Sequence, residues 1–253
     1  MKILNKDKKI ELFDSIETLL IERFQKFNKY LLIDSGIGSD ISDINTHIDR
    51  MLVYNSDGDR EKLALEAENL RQNIYFVLTE LNPKYNAFAV MVKSIDGKPC
   101  NDLTDEGIKD VLKSVSELTH KQVTDSVDTI KKKLTDELVL YFPQQFADNS
   151  MIEYHSYMSR RAEMIIEGII NDNIEEKQSQ IERINNMLLT FADPMKFFGS
   201  DNAEIAYDKQ FETMCLNLTE QLNIIEPKKT TTLTFYNAFE HLKKRLSNGR
   251  QSD

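Results

Sequence analysis

His47, His120, His155 and His241 stand 73, 35 and 86 residues apart, so the sequence has no HxxxH or HExxH pair to hold zinc on one helical face. Glu117-x-x-His120 has the i, i+3 spacing used in carboxylate di-iron bundles. Such a site needs two of these pairs and two further inward glutamates, and here the pair stands alone at a predicted helix break. Asn55-Ser56-Asp57-Gly58-Asp59 has the alternating oxygens of a calcium loop, but the register fails. With Gly58 sixth, position one is Val53 and position twelve Ala64, so the leading carboxylate and the closing bidentate glutamate are both missing. The segment reads as a turn, with Asp59 capping the next helix. Gly36-Ile37-Gly38-Ser39 lacks the third glycine and the preceding strand of a dinucleotide fingerprint. There is no GxSxG elbow, Walker loop or kinase signature. Cys100 and Cys215 have no CxxC spacing and read as reduced, small core residues. No catalytic, cofactor-binding or metal-ligating residue is expected, and the chain reads as a protein without enzymatic activity.

What the residue types favour is contact. Tyr154, His155, Tyr157, Arg160 and Arg161 cluster on the opening turns of one helix, and tyrosine and arginine are enriched at protein interfaces. Tyr154, Tyr157, Arg160 and Arg161 are the candidate contacts there. The net charge is −10, yet Lys228, Lys229, Lys243, Lys244, Arg245 and Arg250 face only Glu240 and Asp253 from Pro227 onward. Lys243, Lys244 and Arg245 are therefore the second candidate group. They would suit a protein partner or, as the alternative reading, a small nucleic-acid-associated regulator whose binding weakens with salt. The Lys131-Lys132-Lys133 run, with Asp125, Asp128, Asp136 and Glu137 around it, reads as a solvated face.

These residues need helices to position them. Apolar spacing of three, four and seven predicts a first helix over residues 6–33 on Ile10, Phe13, Leu20, Phe24, Phe27 and Leu31. It predicts a second on Ile41, Ile44, Ile48, Met51 and Leu52, and a third on Leu63, Ala67, Leu70, Ile74, Val77 and Leu81. Asn82-Pro83 is a helix start, since proline at the first helical position forgoes no needed bond. Residues 87–92 are assigned to that helix, with a buried strand and an Asp96-Gly97 hairpin turn as the alternative. Thr104 caps a helix carrying Ile108, Val111 and Val115, a break at Thr119-His120 leads to Val123, Val127, Ile130, Leu134 and Leu138, and Phe142-Pro143 stops it.

Ser150-x-x-Glu153 has the form of a capping box and opens the longest helical run. Tyr154, Met158, Ile165 and Ile169 form its stripe, and Ile174, Ile181, Ile184, Leu188 and Phe191 a second. The five-residue step between them is about 140° of rotation. Asn171-Asp172-Asn173 marks a turn or bend at that fault, with Asp172 and Glu175 as a cap. Asp193-Pro194 predicts a short turn of helix, Tyr207 to Leu222 the next helix, and Thr230, Thr231 or Thr232 the cap of the last.

The whole pattern predicts an all-α, multi-helix bundle of about nine to eleven helices with no substantial sheet. Residues 143–149 make the best boundary, dividing an N-terminal helical region, 1–149, from a C-terminal helical region with a basic tail, 150–253. The longest apolar run, 87–92, is too short to span a bilayer, and the amino terminus turns charged before a signal core can form. A cytoplasmic protein without membrane contact is expected.

Asp208-Lys209-Gln210-Phe211-Glu212-Thr213-Met214-Cys215 and Thr232-Leu233-Thr234-Phe235-Tyr236-Asn237-Ala238-Phe239 resemble helical segments of tailed-phage virion and assembly proteins, tail-assembly chaperones and head-to-tail connectors being the nearest types. The resemblance is confined to the C-terminal third and carries over no functional residue. It implies a non-catalytic protein that packs against copies of itself or a partner, in a bacterial host cytoplasm or a virion.

Overall fold

The computed structural model describes residues 1–5, 8–79, 82–146, 149–171 and 173–249, with the backbone alone at 5, 149–152 and 246–249. Helix accounts for 73% of the chain, which makes the fold all-α with one small sheet. Two compact units are interleaved along the sequence: a core unit of residues 1–35, 81–146 and 197–253, and a hairpin unit of residues 36–80 and 147–196. They are thus not the contiguous 1–149 and 150–253 regions expected. Segments distant in sequence bury one another, and only the crossing after Phe146 falls within the expected boundary.

The core unit corrects the amino terminus. Residues 6–33 do not form one helix: strands β1 (Lys2–Asn5) and β2 (Lys8–Leu12) pair antiparallel, and helix α1 begins only at Ile21 and runs to Ile37. Ile10 and Leu12 are buried at alternate positions while Lys9 is exposed, the period of two that belongs to a strand with one face covered. After helices α2 (Ile41–Ser56) and α3 (Arg60–Thr79) of the other unit, helix α4 (Pro83–Met91), capped by Asn82, enters the centre of the core. Ala87, Phe88, Ala89, Val90 and Met91 are all buried, as in a helix surrounded by protein on every side. The strand and hairpin kept as the alternative also appear, but the strand shares only Val92 with the stretch 87–92. Val92–Ile95 is strand β3, and Asp96-Gly97 turns it into β4 (Lys98–Pro99). Both turn residues have positive φ, 50° and 79°, the geometry of a type I′ hairpin. The sheet order is β1-β2-β3-β4, so the partner of β3 lies upstream, in the stretch read as helix.

Helices α5 (Asp105–Ser114) and α6 (His120–Tyr141) follow their patterns. Thr104 caps α5, and Thr119 with Gln122 forms a capping box on α6, whose Val123, Val127, Ile130, Leu134 and Leu138 are buried. Phe142-Pro143 ends α6 and opens the short α7 (Pro143–Phe146). Residues 193–199, expected to form a helical turn, are irregular. Helix α10 (Ala203–Leu222) buries Phe211, Cys215 and Leu218, and α11 (Thr232–Gly249) buries Phe235 and Leu242. One continuous apolar cluster joins all of these elements to α1 and the sheet.

The hairpin unit consists of two helical pairs, α2 (Ile41–Ser56) with α3 (Arg60–Thr79) and α8 (Asn149–Ile170) with α9 (Ile174–Leu189), α2 packing against α9. Asn171 and Asn173 lie in a tight turn, not a bend. Gly168 passes so close to Ile174 that a Cβ would stand 3.0 Å from its Cα. Asn173 is the first cap residue of α9 and makes no side-chain cap bond; the Asp172 cap and the Ser150 capping box fall outside the described side chains. Asp40 caps α2 in a capping box with Asp43, whose carboxylate accepts from the Ser39 and Asp40 backbone N–H groups at 2.8 and 3.1 Å. Gly38, at φ 79°, leads into that cap, and a Cβ there would run into the Asp43 side chain. Gly38→Ala is therefore expected to destabilise the hairpin unit by more than about 1 kcal/mol, read as a lower urea midpoint for loss of helical circular dichroism.

Helix α9 buries Ile181 and Ile184 of its predicted stripe, but the faces that α2, α3 and part of α8 bury differ from those their stripes predict. Ile41, Ile48 and Leu52 on α2 are exposed while His47 and Tyr54 are buried. On α3, Glu66, Asn69 and Asn73 are buried and Ile74 and Leu78 exposed. On α8, Tyr154 and Ile165 of the predicted stripe are half-buried while Met158 and Ile169 are exposed, with Ile166 and Ile170 beside Ile169, and Tyr157, Arg161, Met164 and Gly168 join Tyr154 on the side toward α9. Polar partners close at hand decide this: an inward carboxylate and imidazole that satisfy each other tolerate burial, leaving part of the apolar surface outside.

Candidate functional site

The antiparallel pair α8–α9 carries the aromatic and arginine cluster. Its register is fixed at three levels: Gly168 lies against Ile174, Arg161 Nε donates to Asn185 Oδ1 at 2.6 Å, and Tyr154 meets Phe191 edge-on with ring centres 5.6 Å apart. Tyr154 and Arg161 thus hold the hairpin together. Tyr157 and Arg160 instead line a cleft of about 530 Å³ with Met164 on α8 and Gln180, Arg183, Ile184 and Met187 on α9. Arg160, Arg183 and Gln180 are exposed. No ion pair or hydrogen bond engages either guanidinium among the described residues. The cleft therefore offers two cationic forks above a floor of methionine and isoleucine, a composition suited to a carboxylate-bearing protein surface. Arg183 and Gln180 were not legible as members of this site. Their only sequence signal is heptad and near-heptad placement on the polar side of α9.

The second candidate group belongs to the core unit and is largely engaged. Lys243 Nζ sits 4.9 Å from the centre of the Phe239 ring, Lys244 pairs with Glu240 at 3.7 Å, and Arg245 donates to the Gln221 carbonyl at 3.3 Å. Lys228 and Lys229 pair with Glu212 and Glu226. Arg250 lies outside the described residues. Lys243 also borders a cleft of about 440 Å³ with an aromatic floor that includes Phe24, Phe146, Tyr236 and Phe239.

Inside the hairpin unit is a cluster of buried polar residues, His47, Glu66, Asn69 and Asn73. His47 Nδ1 lies 2.8 Å from Glu66 Oε1, and Nε2 lies 2.5 Å from the Ile37 carbonyl. Both neighbours accept, so both ring nitrogens donate and the imidazole is charged. Burial works against that charge, but the hydrogen bonds to Glu66 and Ile37 and the Glu66 charge outweigh it and raise the His47 pKa above its ordinary 6.5. Arg50 also reaches Glu66 Oε1, at 3.3 Å. Asn69 donates to the Met195 carbonyl at 3.0 Å and Asn73 to that of Ile37 at 2.9 Å. The spacing Glu66, Asn69, Asn73 is helical and could have signalled an inward polar face.

The remaining histidines do not converge. His120 opens α6 and stacks on Tyr85 at 5.9 Å, and His155 and His241 are exposed. Among the described residues no group of three or more His, Cys, Asp or Glu side chains is placed to hold a metal ion. Burial pushes the Cys215 thiol up to about 11 and raises Cys100 as well, which suits unreactive thiols. Cys215 is buried as expected, whereas Cys100 is half-buried. No described helix is long and apolar enough to cross a membrane. No protein-family model, curated protein or solved structure matches this chain.

Proposed function

We propose that this chain is a non-catalytic helical interaction protein, an assembly component whose hairpin unit presents the contact surface. The observation that carries the reading is the exposed apolar side of α8, where Ile166, Ile169 and Ile170 are 56%, 65% and 76% accessible while polar residues occupy the interior of the same unit. Exposed isoleucines grouped on one helix face mark a protein contact more often than a solvated surface. The core unit, by contrast, buries the predicted stripes of α5 and α6. A role as a structural or assembly part of a tailed-phage-type particle, implied by the C-terminal resemblance, falls within this reading.

The I166S/I169S/I170S variant tests it. The wild-type chain is expected to form a discrete complex, with itself or with a protein captured from its producing cell, and the variant to keep its helical circular dichroism and lose that complex. Each buried isoleucine contributes roughly 1.5–3 kcal/mol to such a contact, so the loss should exceed a hundredfold in affinity. A wild-type chain that binds nothing, or one whose complexes all survive the triple substitution, overturns the reading.

A further inference from the structure

The face of the α8–α9 pair that carries the cleft has a different pattern. Arg160 and Glu167 are seven residues apart on α8, as are Glu176 and Arg183 on α9. Seven residues return a helix to within about 20° of the same direction and separate the two charges by roughly 10 Å along the axis. That is too far for the intrahelical pairing seen at three or four residues. Because the helices run antiparallel with Gly168 beside Ile174 and Arg161 beside Asn185, the two arginines share one end of the face and the two glutamates the other. Met164 and Gln180 lie midway. Arg160, Arg183 and Glu176 are exposed, and Glu167, though held by Lys177 at 2.5 Å, keeps 63% of its side chain accessible.

We propose that this face docks a second copy of the same chain about a two-fold axis that lies in the face and crosses both helices at the level of Met164 and Gln180. That rotation places Arg160 over the second copy's Glu167 and Arg183 over the second copy's Glu176, and by symmetry the reverse. Four interchain pairs then surround the cleft floor of Met164, Ile184 and Met187. The midpoint of each charged pair, between 163 and 164 on α8 and between 179 and 180 on α9, falls at one level of the hairpin, so a single axis satisfies both helices. A two-fold contact requires this self-complementarity. None of the four charged residues or the cleft floor is Ile166, Ile169 or Ile170, so the inference does not depend on those isoleucines.

Charge exchange tests the arrangement by sedimentation of the full chain at low and high salt. Wild-type protein is expected to dimerise, more weakly as salt rises. R160E/R183E and E167R/E176R are each expected to weaken self-association by about a hundredfold or more, since like charges then face each other. An equimolar mixture of the two variants is expected to restore a dimer, and that restoration excludes misfolding as the cause of the losses. A wild-type chain that stays monomeric overturns the proposal, as does a dimer indifferent to both variants or a mixture that stays dissociated. The I166S/I169S/I170S variant separates this outcome from the interaction reading above: a dimer lost in that variant and kept in both charge variants leaves the reading standing and removes the two-fold contact.

Discussion

Replacing Glu66 by leucine is expected to lower the stability of the hairpin unit by about 3–5 kcal/mol, the usual cost of breaking a buried charged pair from one side. Glu66 is 0% exposed and is the common acceptor for His47 and Arg50. Its removal leaves the His47 imidazole against the Ile37 carbonyl with no counter-charge and withdraws the carboxylate from Arg50, which retains a hydrogen bond to the Leu189 carbonyl at 3.0 Å. Urea unfolding followed by circular dichroism measures the loss. The same cluster sets a pH dependence with a definite sign. A histidine whose pKa is raised on folding contributes stability that is fully present below its unfolded value, near 6.5, and is lost as pH rises through the folded value. The groups facing it are Glu66 on α3, Arg50 on its own helix and the Ile37 carbonyl. Wild-type protein should therefore show a urea midpoint that falls as pH is raised above 6.5, and H47Q should lose that slope. A slope unchanged in H47Q would assign it to other groups.

Replacing Arg23 by methionine is expected to destabilise the core unit by roughly 3 kcal/mol or more, because three backbone carbonyls lose a charged donor at once. Arg23 is 3% exposed. Its guanidinium donates to the carbonyls of Val90, Val92 and Cys100 and lies 5.1 Å from the centre of the Phe13 ring. Those carbonyls belong to the end of α4, the start of β3 and the residue after β4, where the chain passes from helix to hairpin and the backbone has fewer partners of its own. Burial lowers the Arg23 pKa, while the nearby Glu22 charge favours the protonated form. R23K should recover less than half of the loss, since an ammonium is a point donor and cannot span two carbonyl directions as a planar fork does. Equal stability of R23K and wild type would show that charge alone, and not the fork, holds this junction.

The legible part of the fold is the part with punctuation and a matched interior. Asn82 and Thr104 cap the helices the sequence assigned to them, because a cap is a local bond between a side chain and the next turn. The stripes of α5 and α6 are buried as spaced, since an apolar cluster large enough to enclose them exists in the core unit. Less of the site was legible. Tyr157 and Arg160 were recognised by residue type, but Arg183 and Gln180 join them only because α9 folds back on α8.

The sequence by itself determined a helical chain, the caps at Asn82 and Thr104, and the inward faces of α5 and α6, all properties of residues within a few turns of one another. Tertiary structure decided the rest. Lys8–Leu12 is a strand because β1 and β3 offer it hydrogen bonds on both sides, and β3 comes from some eighty residues downstream, beyond any local period. The hairpin unit turns polar residues inward because His47 and Glu66, nineteen residues apart, meet and neutralise each other. That pairing energy depends on distance in space, which no spacing along the chain records.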